Sequence, residues 1–327
     1  MMKLDRIKYG AICATLVFFV LIGYSTHAKN NNLTNNLLKK FSRDTITNSY
    51  KPKNISLPLN EYATKPLKNY FNKDLQKSLL REVSKNTKWK QLIDAKKMSI
   101  GVVDLTDATN PRFASINGDN MMYAASLPKI AILLAVEDAL EKGELRHTPE
   151  IEKDMRLMIS KSNNQAATRL IDKVGYKKIE EVLTCDQYHL YEKQNGGGLW
   201  VGKRYAAGGA TNREPIKNLS HAATADQVCR FYFNLANGEL VSKERSEHML
   251  AMLKDPELHH KFVNTLMKID PNSVLYRKSG TWKNWHADSV LVWGEKRKYI
   301  LVALIEDANG EQIMRNLVLP VEKTIKQ

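Results

Sequence analysis

The sequence predicts an α+β domain built on an antiparallel sheet, and three observations carry that expectation. Two strand-like runs, Met98–Leu105 and Arg112–Ile116, come early and are separated by the Asp107–Pro111 turn. A series of helical segments then fills the middle of the chain. Two further strand-like runs, Ser289–Trp293 and Tyr299–Glu306, sit near the end, joined by Gly294-Glu295-Lys296-Arg297-Lys298 as a hairpin. Strands, then many helices, then strands and a closing helix is the element order of an α+β fold.

The elements follow in order. Residues 1–28 have the form of an export signal, with Lys3, Arg6 and Lys8 ahead of a 14-residue apolar run from Gly10 to Gly23. Thr26-His27-Ala28 offers a cleavage site. The apolar run is shorter than the roughly 20 residues that span a bilayer, which favours a cleaved signal over a membrane anchor formed by residues 10–23. The expected location is therefore the periplasm or the extracellular space. Residues 29–70 form a basic tether, with clustered Asn30, Asn31, Asn32, Asn35 and Asn36 and then Pro52, Pro58 and Pro66. Such composition cannot bury enough apolar surface to offset its ordering entropy. It is a solvated linker, or one that associates weakly with membrane or cell wall.

Residues 71–327 are expected to be the catalytic domain. Tyr70–Trp89 has helical spacing through Phe71, Leu75, Leu79, Leu80 and Val83, and Ser126 opens a strongly apolar helix through Leu140 that stops at Gly143. Helices follow near 150–160, 165–173, 177–184, 223–237 and 243–253. The last runs from about Gly310 to Ile325, with Pro320 bending it.

Charge narrows the function classes. Of the formal +15, residues 1–28 hold three basic and one acidic group, and residues 29–99 hold sixteen and five. The remaining residues hold 31 and 29, so the catalytic region is nearly neutral and a nucleic-acid partner is excluded. Three cysteines do not make a disulfide scaffold, although Cys185 and Cys229 are candidates to pair in an oxidising compartment. No cofactor is expected. His259 and His260 are adjacent and no His-Glu-x-x-His occurs, so no catalytic metal is expected either.

Three motifs carry the chemistry. In Ser126-Leu127-Pro128-Lys129, residues three apart share a helical face, which brings the Lys129 amine within reach of the Ser126 hydroxyl. A serine needs such a base, and a lysine serves only with a lowered pKa. Ser162-Asn163-Asn164 lies 36 residues on, and Lys278-Ser279-Gly280-Thr281 precedes the terminal strand pair. Taken singly, Ser162 and Asn164 would suit helix caps and Lys278 a solvated strand end.

Ser-x-x-Lys, Ser-x-Asn and Lys-Ser/Thr-Gly in this order resemble the penicillin-recognising serine hydrolases, most closely class A β-lactamases, over residues 88–322. The resemblance implies an antiparallel sheet flanked by terminal helices, with an all-helical subdomain. It implies Ser126 as the acylated nucleophile, Lys129 as its proton relay and Ser162 as proton donor to the leaving nitrogen. Asn164 and Ser279 would bind substrate, and Lys278 would hold the site positive and depress the Lys129 pKa. The Thr281 and Ser126 N–H groups would form the oxyanion hole. The implied substrate is a β-lactam or a peptidoglycan stem peptide, and the family favours a monomer.

Two departures matter. Asn163 replaces the usual aspartate, and no Glu-x-x-Leu-Asn setting supplies a deacylating base. Glu214, in Asn212-Arg213-Glu214-Pro215, is the best-placed substitute. Six glycines between residues 196 and 210 mark an unusual loop, from which Lys203 or Tyr205 could serve the site or simply shape it. His286, in Trp282-Lys283-Asn284-Trp285-His286, is expected at the rim or packed between the tryptophans. Hydrolysis of β-lactams leads; a D,D-carboxypeptidase or transpeptidase, or a catalytically weak sensor domain, is the alternative.

Overall fold

The computed structural model describes residues 65–326. The signal, Cys13 and nearly all of the tether lie outside the described residues. The first helices are α1 (Lys73–Ser84) and α2 (Thr87–Asp94). The single helix expected over Tyr70–Trp89 is thus two, because the Asn86 side chain accepts from the Trp89 N–H and starts a second. Strands β1 (Met98–Asp104) and β2 (Arg112–Ile116) follow, and β3 (Met122–Tyr123) leads to the Ser126 turn.

The helical layer comprises α3 (Lys129–Glu141), α4 (Pro149–Ser160) and α5 (Asn164–Thr184). α3 is buried from Lys129 to Leu140, as an apolar helix enclosed on all sides must be. α5 breaks at Gly175, whose φ of 77° admits the left-handed turn between the two helices that the sequence predicts. Short strands β4 (Tyr191–Glu192), β5 (Gly197–Gly198), β6 (Trp200–Val201) and β7 (His221–Ala223) frame the glycine-rich loop. Then come α6 (Ala225–Ala236), α7 (Lys243–Leu253) and α8 (Phe262–Ile269).

The chain closes with β8 (Val274–Trp282), β9 (Trp285–Trp293), β10 (Lys298–Glu306) and α9 (Gly310–Ile325), with Pro320 inside the last helix. Lys278–Thr281 precedes the β9–β10 pair, as expected, and itself lies within a third strand, β8. The five-stranded sheet is antiparallel in the order β2-β1-β10-β9-β8, which leaves β8 at an edge.

Strand alternation divides the core into two layers. Ile100, Val102, Leu301 and Ala303 pack with Leu79, Phe262 and Leu317 from the terminal helices and α8. Val103, Ile300 and Val302 pack with Leu133, Leu170 and Phe231 from the helical side. Both faces are covered, so β10 is buried from Tyr299 to Ile305. The architecture is the α+β arrangement expected.

Candidate active site

The Ser126 turn lies between β3 and α3. Leu127 N–H donates to the Ala124 carbonyl at 3.0 Å and Lys129 N–H to that of Ser126 at 3.3 Å, so α3 begins at Lys129 and Ser126 sits on the tight turn before it. Ala125 has a φ of 50° and Ser162 a φ of 55°, left-handed conformations that residues with a side chain adopt only when their surroundings impose them. Two such residues flank one cleft.

Edge strand β8 presses on this turn. A Cβ at Gly280 would lie 2.2 Å from the Ala124 oxygen and 2.6 Å from the Ser126 nitrogen, so only glycine lets the strand approach. The neighbouring N–H groups of the Ser126 turn and of β8 are thereby brought together.

Lys129 is 0% exposed. Its Nζ donates to the Ser162 carbonyl at 2.6 Å, to Asn164 Oδ1 at 2.8 Å and, more weakly, to Ser162 Oγ at 3.4 Å. The expected contact with Ser126 is replaced by these, because the neutral oxygens of the second motif converge on the amine. Burial lowers its pKa to about 7. Lys278 Nζ donates to Ser162 Oγ at 2.9 Å and to the Ser279 carbonyl at 2.7 Å. Its pKa is pushed well down, first by burial and then by the Lys129 charge. The depression of Lys129 itself comes from burial and not, as expected, from Lys278.

Asn163 has its own explanation. Its side chain accepts from the Ala166 N–H at 2.8 Å and caps α5, a role that aspartate fills equally. Ser162 and Asn164 are not the cap. Ser279 Oγ lies 3.5 Å from His260 Nε2, and Thr281 lines the cleft.

The cleft beside Ser126 encloses about 810 Å³. Asn164, Lys203, Tyr205 and Thr281 line it with an aromatic wall of Tyr123, Trp282 and Trp285. The Tyr123 and Trp285 rings meet edge to face at 6.2 Å. Tyr205 donates to the Ala125 carbonyl at 3.2 Å, and Lys129 Nζ lies 4.4 Å from its ring centre. His221 stacks on Tyr205 at 4.3 Å, donates from Nε2 to the Lys203 carbonyl at 3.0 Å and accepts at Nδ1 from Ser220 at 3.2 Å. Burial lowers the His221 pKa to about 4.

Several candidates fall elsewhere. Glu214 does not line the cleft; it is buried, accepting from Tyr191 Oη at 2.5 Å and from the Ile216 and Lys217 N–H groups at 2.6 Å. It organises its own loop. His286 is buried on β9, with its ring against the Gly310 backbone, and not at the rim. Cys185 and Cys229 are both free thiols, Cys229 fully buried beside Gly101.

The sequence reading missed His221 and Ser220, which sit on and beside a three-residue strand without a motif. It also missed the support behind β8. There Lys261 is 0% exposed and donates to the Gly280 carbonyl at 2.5 Å and the Ala287 carbonyl at 2.9 Å. Arg277 and Asp288 pair beside it at 2.6 Å. Tyr123 had a usable signal, an aromatic strand residue three positions before Ser126.

Comparison with solved structures gives the same fold. A β-lactamase from Sphaerobacter thermophilus superposes with a TM-score of 0.58 at 17% identity, over 77% of this chain and 96% of that one. A mutant of PBP-A, solved as an acyl-enzyme complex with penicillin G, gives 0.59 at 16% identity over 80% and 99%. A class A β-lactamase representative from Bacteroides cellulosilyticus gives 0.57 at 15% over 78% and 99%. No curated protein matches in sequence. The sequence model of the β-lactamase enzyme family matches residues 85–155 and 148–325, most of the chain. Family model and fold agree: the chain belongs to the β-lactamase enzyme family and is a β-lactamase-like serine hydrolase.

Proposed function

We propose that the protein is exported, is acylated at Ser126 by β-lactams and hydrolyses them through that ester, with deacylation as the slow step. The observation that carries the acylation half is the buried Lys129, its pKa near 7, one turn from the serine. In this mechanism Ser126 Oγ attacks the lactam carbonyl carbon and its proton passes to Lys129. The Ser126 and Thr281 N–H groups hold the oxyanion. Ser162 Oγ, bonded by both lysines, gives a proton to the departing nitrogen as the C–N bond breaks. Asn164 and Ser279 bind the substrate's amide and carboxylate, and Lys278 supplies positive charge.

A second reading has its own support. Among the described residues lining the cleft there is no carboxylate to activate water on the ester. That favours a D,D-carboxypeptidase or transpeptidase, in which a peptidoglycan stem peptide is the substrate and β-lactams acylate without rapid release. Under either reading the protein acts as a monomer, and the basic stretch of residues 29–70 is a solvated linker whose association with membrane or wall is at most weak.

Incubation with a chromogenic β-lactam, followed by absorbance and intact mass, tests this. We expect a burst of one acyl group per chain followed by slow turnover, and neither with Ser126→Ala. A persistent adduct without turnover would favour the peptidase, to be checked with a D-Ala-D-Ala substrate. Absence of any adduct on the unaltered chain would refute the assignment.

A further inference from the structure

The helical layer holds a second cluster of reactive side chains, none of which lines the Ser126 cleft. His147 lies in the loop before α4, Glu152 in the first turns of α4 and His248 on α7. His147 Nε2 and His248 Nε2 each lie 3.0 Å from the same oxygen, Glu152 Oε2. All three ligand atoms fall within 4.8 Å of one another, and the two imidazole rings stand edge to face at 5.7 Å.

We propose that His147, His248 and Glu152 bind a zinc ion that ties the α3–α4 loop, α4 and α7 together. Tetrahedral zinc with bonds of about 2.0–2.1 Å sets its ligand atoms roughly 3.3 Å apart, close to the spacing already present. Two imidazoles and a carboxylate are a donor set suited to zinc, and three protein ligands leave a fourth position for water.

A second, independent feature points the same way. His248 Nδ1 lies 2.6 Å from Oε1 of Glu137, a residue of α3 that is 0% exposed. A carboxylate behind a histidine fixes the ring and its tautomer, leaving Nε2 free to face a metal. Arg245 holds the other Glu137 oxygen at 3.4 Å, so the carboxylate is itself oriented. Glu137 is eight residues along α3 from Lys129, about 12 Å at the helical rise. α4, in turn, runs directly into the Ser162 motif. The ion would therefore brace the helices that carry both proton-handling motifs while touching no reacting atom.

The test uses the full chain, produced without a histidine tag and stripped with chelator. Zinc titrated against a chromophoric chelator should show one saturable site per chain. Cobalt in its place should give the intense visible bands of four-coordinate cobalt. His147→Ala, a change at a partly exposed loop residue, should weaken zinc binding at least 100-fold, and Glu137→Gln should weaken it about 10–100-fold. Zinc at about 100 times its Kd should raise the thermal midpoint of the unaltered chain by about 5–10 °C and leave that of His147→Ala unmoved. Equal zinc affinity in the unaltered chain, His147→Ala and His248→Ala would overturn the site, as would the lack of any saturable binding. His189→Ala, at a histidine outside the cluster, should bind zinc as the unaltered chain does.

Discussion

Lys129 on α3 and Lys178 on α5 are both withdrawn from water, at 0% and 8% exposure, yet their surroundings are opposite. Lys178 faces Asp138 at 2.5 Å, Glu144 at 2.7 Å and Glu181 at 3.6 Å. Burial pulls its pKa down, but these carboxylates outweigh burial and hold the amine charged, with its pKa raised. Lys129 meets only neutral oxygens, and burial brings its pKa to about 7. Depth alone does not make a base; depth without a carboxylate does. A single helix, α3, supplies Lys129 at one end and Asp138 near the other, so the fold separates the two regimes within one element.

Removing each amine should expose that difference most strongly. Lys129→Met should slow acylation by about 10²–10⁴-fold, the usual worth of a positioned base. It should also stabilise the fold. A depression from 10.5 to about 7 corresponds to at most about 5 kcal/mol of penalty on the charged amine. Orphaning its acceptors takes back about 1–3 kcal/mol. Between those two pH values the unfolded chain binds the proton and the folded chain does not, so this group makes stability rise with pH across that window. The thermal midpoint of Lys129→Met should therefore exceed that of the unaltered chain below pH 7, and the gap should close toward pH 10. Lys178→Met should do the reverse, losing about 3 kcal/mol of stability by stranding Asp138, with acylation per folded molecule intact. Unchanged acylation in Lys129→Met would show that the serine's proton goes elsewhere.

A smaller effect is expected at Gly280, where the comparison is between two glycines. Gly280→Ala drives a methyl into the Ser126 turn, whereas a Cβ at Gly209 meets nothing within 4 Å. The first should reduce the acylation rate about 100-fold by spoiling the alignment of nucleophile and oxyanion donors, and Gly209→Ala should leave it unchanged. Burst amplitudes and rates with a chromogenic β-lactam measure both. Equal rates would mean that β8 does not help build the site.

Much of this was legible in the residues. Periodicity marked β1 and β2 to the residue or nearly so, and the gap between the helices expected at 165–173 and 177–184 coincides with the break in α5 at Gly175. The three motifs carried Ser126, Lys129, Ser162 and Lys278 to one place because each is local in sequence and has a fixed spacing. What was not legible depends on contacts distant in sequence. Strand β8 was missed because its start, Val274-Leu275-Tyr276, is followed by Arg277 and Lys278, charges that read as surface. They are buried only because Asp288 and Ser162 meet them from other elements. Glu214 looked like a deacylating base by position, but backbone N–H groups two and three residues on capture its carboxylate. The Lys129–Ser162–Asn164 contacts likewise required α5 to begin where Asn163 caps it.

The pH dependence of acylation gives the finest test of the two-lysine comparison. Only the neutral Lys129 amine can accept the Ser126 proton. With a pKa of about 7, its neutral fraction grows roughly tenfold per unit from pH 5 to pH 7 and then levels off. The groups facing it leave that limb uncluttered. His221, lowered to about 4 by burial, is neutral throughout, and Tyr205, raised well above its ordinary value by burial, keeps its proton. Lys203 stands at the cleft margin. Lys278 shares Ser162 with Lys129 and also has a lowered pKa. Burial and not Lys278 sets the Lys129 pKa, so Lys278→Met should leave the limb in place, and Lys129→Met should abolish it altogether. The measurement is the second-order acylation rate constant from pH 5 to pH 8 with a β-lactam whose own charge is constant over that range. A flat profile in the unaltered chain would sink the claim that burial without a carboxylate turns Lys129 into the base.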